Sequence, residues 1–126
     1  MPRLFANEST HPNRAYQLWL ILISAAHNRQ VFTYGRLATM MGYSDPRPII
    51  APLGHIMFWC EQQELPPLTV IVFSRQKGEP SAGLTTGSLE NLEAVFSRDW
   101  FAIMPPSPEE LAVAYREGMK TWEGPK

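Results

Sequence analysis

The chain has a single cysteine, Cys60, in 126 residues. An internal disulfide is therefore excluded, and with it the stapled scaffold of many small secreted proteins. Charge is scarce as well: Asp, Glu, Lys and Arg make up 18% of the residues, and the formal net charge is −1. Strong nonspecific DNA binders are usually far more basic than this. No apolar run approaches the roughly 20 residues needed to span a bilayer. The longest, residues 18–26, is interrupted by Ser24 and reads as one buried helix. No long apolar segment follows Met1-Pro2-Arg3, so no signal peptide is expected. These absences give the expectation of a soluble, cytoplasmic protein with no membrane attachment.

The usual marks of catalysis are missing too. No Cys/His spacing resembles a zinc site. His11, His27 and His55 are scattered, and each is expected to be a surface or capping residue rather than a ligand. The acidic residues form no paired-carboxylate signature; Glu109 and Glu110 are explained by a helix N-terminus, where negative charge is favourable. The run Gly78-Glu79-Pro80-Ser81-Ala82-Gly83 lacks the Gly-Lys-Ser/Thr ending of a P-loop. Cys60 falls on the apolar stripe of a helix, where it reads as a small core hydrophobe. No enzyme activity, cofactor or metal is expected.

What the sequence does have is material for one core. Hydrophobic residues make up 44% of it, with four Trp, four Tyr and six Phe. The length suits one compact domain. Residues 1–77 hold 7 Arg/Lys against 4 Asp/Glu, a balance of +3, whereas residues 78–126 hold 4 against 8, a balance of −4. A mild positive lobe fits weak attraction to phosphate; the alternative is chance placement of a few charges.

The chain reads as mainly helical. Residues 12–28 form a first helix, with Thr10 or His11 before its first turn, Pro12 at an early position, and apolar residues at three- and four-residue spacing. Thr33 caps a second helix over residues 34–41, and Gly42 ends it in the left-handed conformation. A rigid turn, Tyr43-Ser44-Asp45-Pro46-Arg47-Pro48, leads to a third helix over residues 50–63. Pro52 is tolerable only in its first turn. Ile49, Leu53, Ile56, Met57 and Cys60 form its apolar stripe, and the short turn gives the spacing of a helix-turn-helix. Residues 68–74 (Leu-Thr-Val-Ile-Val-Phe-Ser) are the best strand, β-branched and bounded by Pro66-Pro67. A hairpin or wing follows through Thr86, then a helix over residues 89–96 and a short extended piece at residues 100–103. Ser107-Pro108-Glu109-Glu110 starts a last helix with a capping box, running to Thr121. Tyr115, Met119 and Trp122 could form an exposed stripe for a second copy, making a homodimer.

The order Thr33-Tyr34-Gly35-Arg36-Leu37-Ala38, then Leu53-Gly54-His55, then Pro66-Pro67-Leu68-Thr69-Val70 and the Gly78 to Gly83 run resembles a known family. It is similar to the winged-helix domain of O6-alkylguanine-DNA alkyltransferases and their alkyltransferase-like relatives. Those carry a TYG segment, a helix with a VG pair, a loop holding a Cys (or Trp)-His-Arg triplet, and a Gly/Ser-rich wing. The resemblance covers residues 12–86. It implies an α+β, mainly α, winged helix-turn-helix with a small β-hairpin or wing and extra C-terminal helices. On that frame residues 1–11 are a loose arm, 12–86 the winged-helix domain, and 87–126 a helical extension packed on it. Small winged-helix proteins of this look also resemble orphan reading frames of mobile elements and restriction loci.

The departures from the family are as informative. The positions of the reactive Cys, its His and the Arg fall on Pro67, Leu68 and Thr69, none of which can do the chemistry. The intercalating Arg falls on Ala51, and the wing Tyr on Pro80. Tyr34 matches the family tyrosine that lies against a phosphate, with Thr33 and Gly35 beside it. Arg36, Arg47, Arg75 and Lys77 are candidate phosphate contacts; ordinary surface charge is the alternative. His55, Glu61, Gln62 and Gln63 are the polar groups the third helix could offer to bases. The expected function is a non-catalytic protein binding double-stranded DNA through Thr33, Tyr34, Arg36, Arg47, Arg75 and Lys77. The alternative is a protein-interaction or small-ligand module on the same scaffold.

Overall fold

The computed structural model describes residues 1–74, 79–80 and 89–124. Its first helix, α1, spans His11–His27. Thr10 caps it by accepting from the Asn13 amide at 3.2 Å, and Pro12 occupies its first turn, where no amide donor is needed. Ala15, Leu18, Trp19, Leu22, Ile23 and Ala26 put one wide face into the core. The segment before it carries a 3-10 turn at Phe5–Asn7. That segment is tied down by the Arg3–Glu8 ion pair and by Asn13 Nδ2 donating to the Glu8 carbonyl at 2.8 Å.

A two-residue strand, β1 (Phe32–Thr33), leads into α2 (Tyr34–Met40). Thr33 caps α2 by accepting from the Arg36 amide at 3.2 Å. Gly42 ends the unit at φ +88°, a conformation that a side chain would strain. A 3-10 turn at Arg47–Ile49 then opens α3 (Ile50–Gln62), with Pro52 in its first turn as required.

Residues 68–74 do not form the single strand that their composition predicts. Leu68–Ile71 is a 3-10 turn, with the Val70 amide donating to the Pro67 carbonyl at 2.9 Å, and only Val72–Ser74 is strand, β2. The reason is burial. All four residues of the turn are enclosed, and α1, α3 and α4 pack on it. A short continuous apolar run carries no period to separate a strand from a turn. The sheet is accordingly small. β1 pairs parallel with β2 (Phe32 opposite Val72, Thr33 opposite Phe73), and β2 pairs antiparallel with β3, Glu79–Pro80 (Phe73 opposite Pro80). The parallel pair needs a long crossover, which α2 and α3 supply. The rest of the expected wing, with Arg75 and Lys77, lies outside the described residues.

α4 spans Leu89–Ser97 and α5 spans Pro108–Thr121. Between them, Trp100–Ala102 is a 3-10 turn and not an extended piece: the Ile103 amide donates to the Trp100 carbonyl at 3.2 Å. Trp100 is enclosed and its Nε1 donates to the Val95 carbonyl at 2.7 Å, which curls the chain back on α4. Ser107 and Glu110 complete the capping box of α5 at 3.1 Å each way. The architecture is α+β and mainly helical. Its centre is a trio of tryptophans: Trp19 meets Trp59 at 5.1 Å and Trp100 at 5.7 Å, both edge to face. No helix among the described residues is long and apolar enough to cross a membrane.

Candidate nucleic-acid interface

α3 is the first place to look for a duplex-reading face, and it does not have one along most of its length. Every side chain from residue 52 to residue 60 is buried. α1 covers one side, the Leu68–Ile71 turn another, and α5 a third. The α3–α5 seam is unusually tight. A Cβ on Gly118 of α5 would run into the ring of Phe58, and one on Gly54 would meet Tyr115 Cε1 at 3.1 Å. Gly54 is thus a packing glycine under α5. His55, expected at the surface, is also buried there: its ring stacks on Tyr115 at 4.2 Å and its Nδ1 lies 2.7 Å from the Ala51 carbonyl oxygen. Gln62 donates to the Ala114 carbonyl at 2.9 Å. Of the polar groups expected to read bases, Glu61, Gln62 and Gln63 are exposed, at the far end of the helix.

Of the stripe expected to join two copies, one residue of three is taken up by the same seam. Tyr115 is committed to His55, whereas Met119 and Trp122 stay exposed, Trp122 also meeting Phe58 edge to face at 6.0 Å.

The open polar surface lies instead along α2. A groove of about 440 Å³ runs between α2 and the turn at residues 43–46. Thr33, Arg36 and Thr39 line one wall; Tyr43, Ser44 and Asp45 line the other. Thr33 and Thr39 are already engaged with α2: Thr33 caps it, and Thr39 Oγ1 donates to the Gly35 carbonyl at 3.0 Å. Arg36 is exposed and has no acidic partner among the described residues. Tyr34 is half-buried and packs against the core, so it faces the groove's environment less than its neighbours do.

Arg47 is placed differently from Arg36. Its guanidinium is clamped on Asp45, with Nη2 at 2.7 Å from Oδ2 and Nε at 3.0 Å from Oδ1. Its amide also donates to Oδ1 at 2.8 Å. The Arg47 side-chain and backbone donors hold the Asp45 carboxyl down at about 2. Arg47 can touch a phosphate only by giving up this pair. Among the described candidates, then, Thr33 and Arg36 meet at the groove, Tyr34 sits beside it, and Arg47 flanks it already paired.

One residue of this region carries no motif, Arg14. It is 6% exposed, and no carboxylate lies within ion-pair distance of it among the described residues. Neutral groups hold it: Nε donates to Ser9 Oγ at 2.8 Å, and Nη1 donates to Gln17 Oε1 at 2.9 Å and to the Met41 carbonyl at 3.0 Å. Its Cζ lies 4.8 Å from the centre of the Tyr43 ring. The sequence did hold a signal for it: Arg14 precedes Leu18 and Leu22 at four-residue steps, on the helix face that goes inside.

Compared with models of known protein families, with characterised proteins and with solved structures, the chain matches none.

Among the described residues no cysteine or histidine lines the groove. Cys60 lies elsewhere, fully enclosed, and burial pushes its thiol up to about 12. It is a core side chain that stays protonated at neutral pH. No group of three or more His, Cys, Asp or Glu among the described residues is arranged to hold a metal ion.

Proposed function

We propose that the protein is a non-catalytic DNA-binding protein of winged-helix type that grips the duplex by its phosphate backbone. The contacts run along α2 and the turn between α2 and α3, and include Arg75 and Lys77, which lie outside the described residues. The observation that supports this best is Arg36, an exposed guanidinium without a counter-ion among the described residues, in a groove lined by hydroxyls. Such groups pair well with phosphate oxygens. The sealing of α3 argues for backbone contact over base reading, because sequence is read by side chains that reach base edges.

The same sealing also favours a second reading, a protein-interaction or small-ligand module on this scaffold. In that case α2 and the groove would meet a partner other than nucleic acid.

Fluorescence anisotropy of the protein against labelled duplex, at low and at physiological salt, separates the two. The DNA reading expects binding that weakens steeply with salt, and a slope of log affinity against log salt that falls by about one unit in Arg36→Ala. No binding at low salt would sink it and turn the search to protein partners.

A further inference from the structure

We propose that the groove between α2 and residues 43–46 is a binding site for a phosphate-class oxyanion, held by Arg36 and backed by the buried guanidinium of Arg14 behind Tyr43. The inference rests on the DNA reading only for where the phosphate comes from.

Two observations carry it independently. The first is the groove itself, about 440 Å³, with one exposed guanidinium that has no acidic partner among the described residues, and hydroxyls on both walls. The second is Arg14. A charged side chain taken out of water is costly unless a counter-charge lies close. Arg14 is nine-tenths buried, and among the described residues its partners are neutral oxygens and a ring face. Its charge meets no counter-ion among the described residues. The one carboxylate on the groove wall, Asp45, is neutralised by Arg47. The local balance of these four groups is positive, so an anion entering the groove meets attraction and no free acid. A low-dielectric wall strengthens that attraction over its value in open water.

Arg14 is also a positioning residue. It joins Ser9 of the N-terminal segment, Gln17 of α1 and the Met41 carbonyl just past α2, and it carries the Tyr43 ring. Tyr43 OH in turn lies 3.2 Å from Ser9 Oγ. One side chain thus sets where the far wall of the groove stands relative to α2.

The test uses inorganic phosphate on the full chain. Thermal unfolding is followed in phosphate and in chloride at equal ionic strength. A saturable rise in Tm specific to phosphate is expected, since a ligand that binds only the folded state stabilises it. Arg36→Ala carries the test because Arg36 is exposed and its loss threatens no packing. It is expected to weaken phosphate affinity about tenfold, as loss of a charge-assisted hydrogen bond does. Arg98→Ala and Arg116→Ala, which remove exposed cations elsewhere, are expected to leave the shift unchanged. Arg14→Gln is expected to unfold cooperatively in chloride yet respond less to phosphate; a response equal to wild type would remove Arg14 from the site. Equal stabilisation by phosphate and chloride, or an Arg36→Ala variant that binds as wild type, would overturn the proposal. Salt-dependent duplex binding without a phosphate-specific shift overturns the site and leaves the DNA reading standing. A phosphate-specific shift lost in Arg36→Ala, with no duplex binding, keeps the site and ends the DNA reading.

Discussion

The ring of His55 lies flat on the ring of Tyr115, with centroids 4.2 Å apart and planes 11° from parallel. This contact joins α3 to α5 in the middle of their seam, with His11 of α1 at the edge, 6.2 Å from His55. Burial, opposed by the Ala51 carbonyl and helped by the charge of His11, holds the His55 pKa below its ordinary value. The folded state thus binds this proton less tightly than the unfolded chain does. The resulting stability is complete above the unfolded value of about 6.5 and is lost as pH falls through the lower folded value. Urea midpoints measured at falling pH are expected to decline across that window, and His55→Phe, which keeps a ring on Tyr115, is expected to flatten the decline. An unchanged pH profile in His55→Phe would show that another group is responsible.

Gly118 faces the ring of Phe58 so closely that a Cβ has no room. In an open helix, Gly→Ala gains about 1 kcal/mol. Here the sign reverses, because the added methyl must push α5 off α3 or drive Phe58 from its place, and overpacking of this kind costs about 1–3 kcal/mol. Chemical denaturation of Gly118→Ala decides the matter; a stabilised variant would mean that the seam yields.

The features that local physics writes were legible before any fold was in view. Thr10, Thr33 and Ser107 each cap the helix that their side-chain oxygens announce, and Gly42 takes the positive φ that ends α2. These depend on neighbours within four residues. What was not legible depends on who packs against whom. Leu68 to Ser74 has the composition of a strand, yet its first four residues curl because three helices enclose them. His55 and Tyr115 are a polar pair on two helices, and nothing local says that the helices close on each other. Arg14 looks like surface charge until its position on the Leu18 and Leu22 face is counted. The groove combines both kinds of information: Thr33 and Arg36 stand out in the sequence, whereas Tyr43 joins them only through the fold, with Arg14 against its ring.

Cys60 offers a direct check on the interior. Its side chain is fully enclosed and its thiol is raised to about 12, so at pH 7.5 almost none of it is thiolate. Native protein is expected to resist a disulfide exchange reagent such as DTNB, and protein in urea to react at once. Cys60→Ser, which buries a hydroxyl in an apolar site, is expected to cost about 1–3 kcal/mol. Fast labelling of the native protein would show that α3 opens far more readily than its packing implies.

The Asp45–Arg47 pair keeps a second cation out of the groove. Arg47 sits beside the groove but spends its guanidinium on Asp45, whose carboxyl at about 2 stays ionised throughout the physiological range. Asp45→Asn removes the counter-ion of Arg47 and so frees a second cation beside the groove. Both side chains are on the surface, so the fold has little to lose. If the groove meets phosphate, duplex affinity at low salt is expected to rise about three- to tenfold, with a steeper salt dependence as a further cation joins the contact. The double variant Asp45→Asn with Arg47→Ala is expected to return affinity and steepness to about the wild-type level, since it removes both charges of a neutral pair. Anisotropy titrations at several salt concentrations separate the two contributions. An Asp45→Asn variant that binds duplex no better than wild type would place the phosphate contacts elsewhere on the surface.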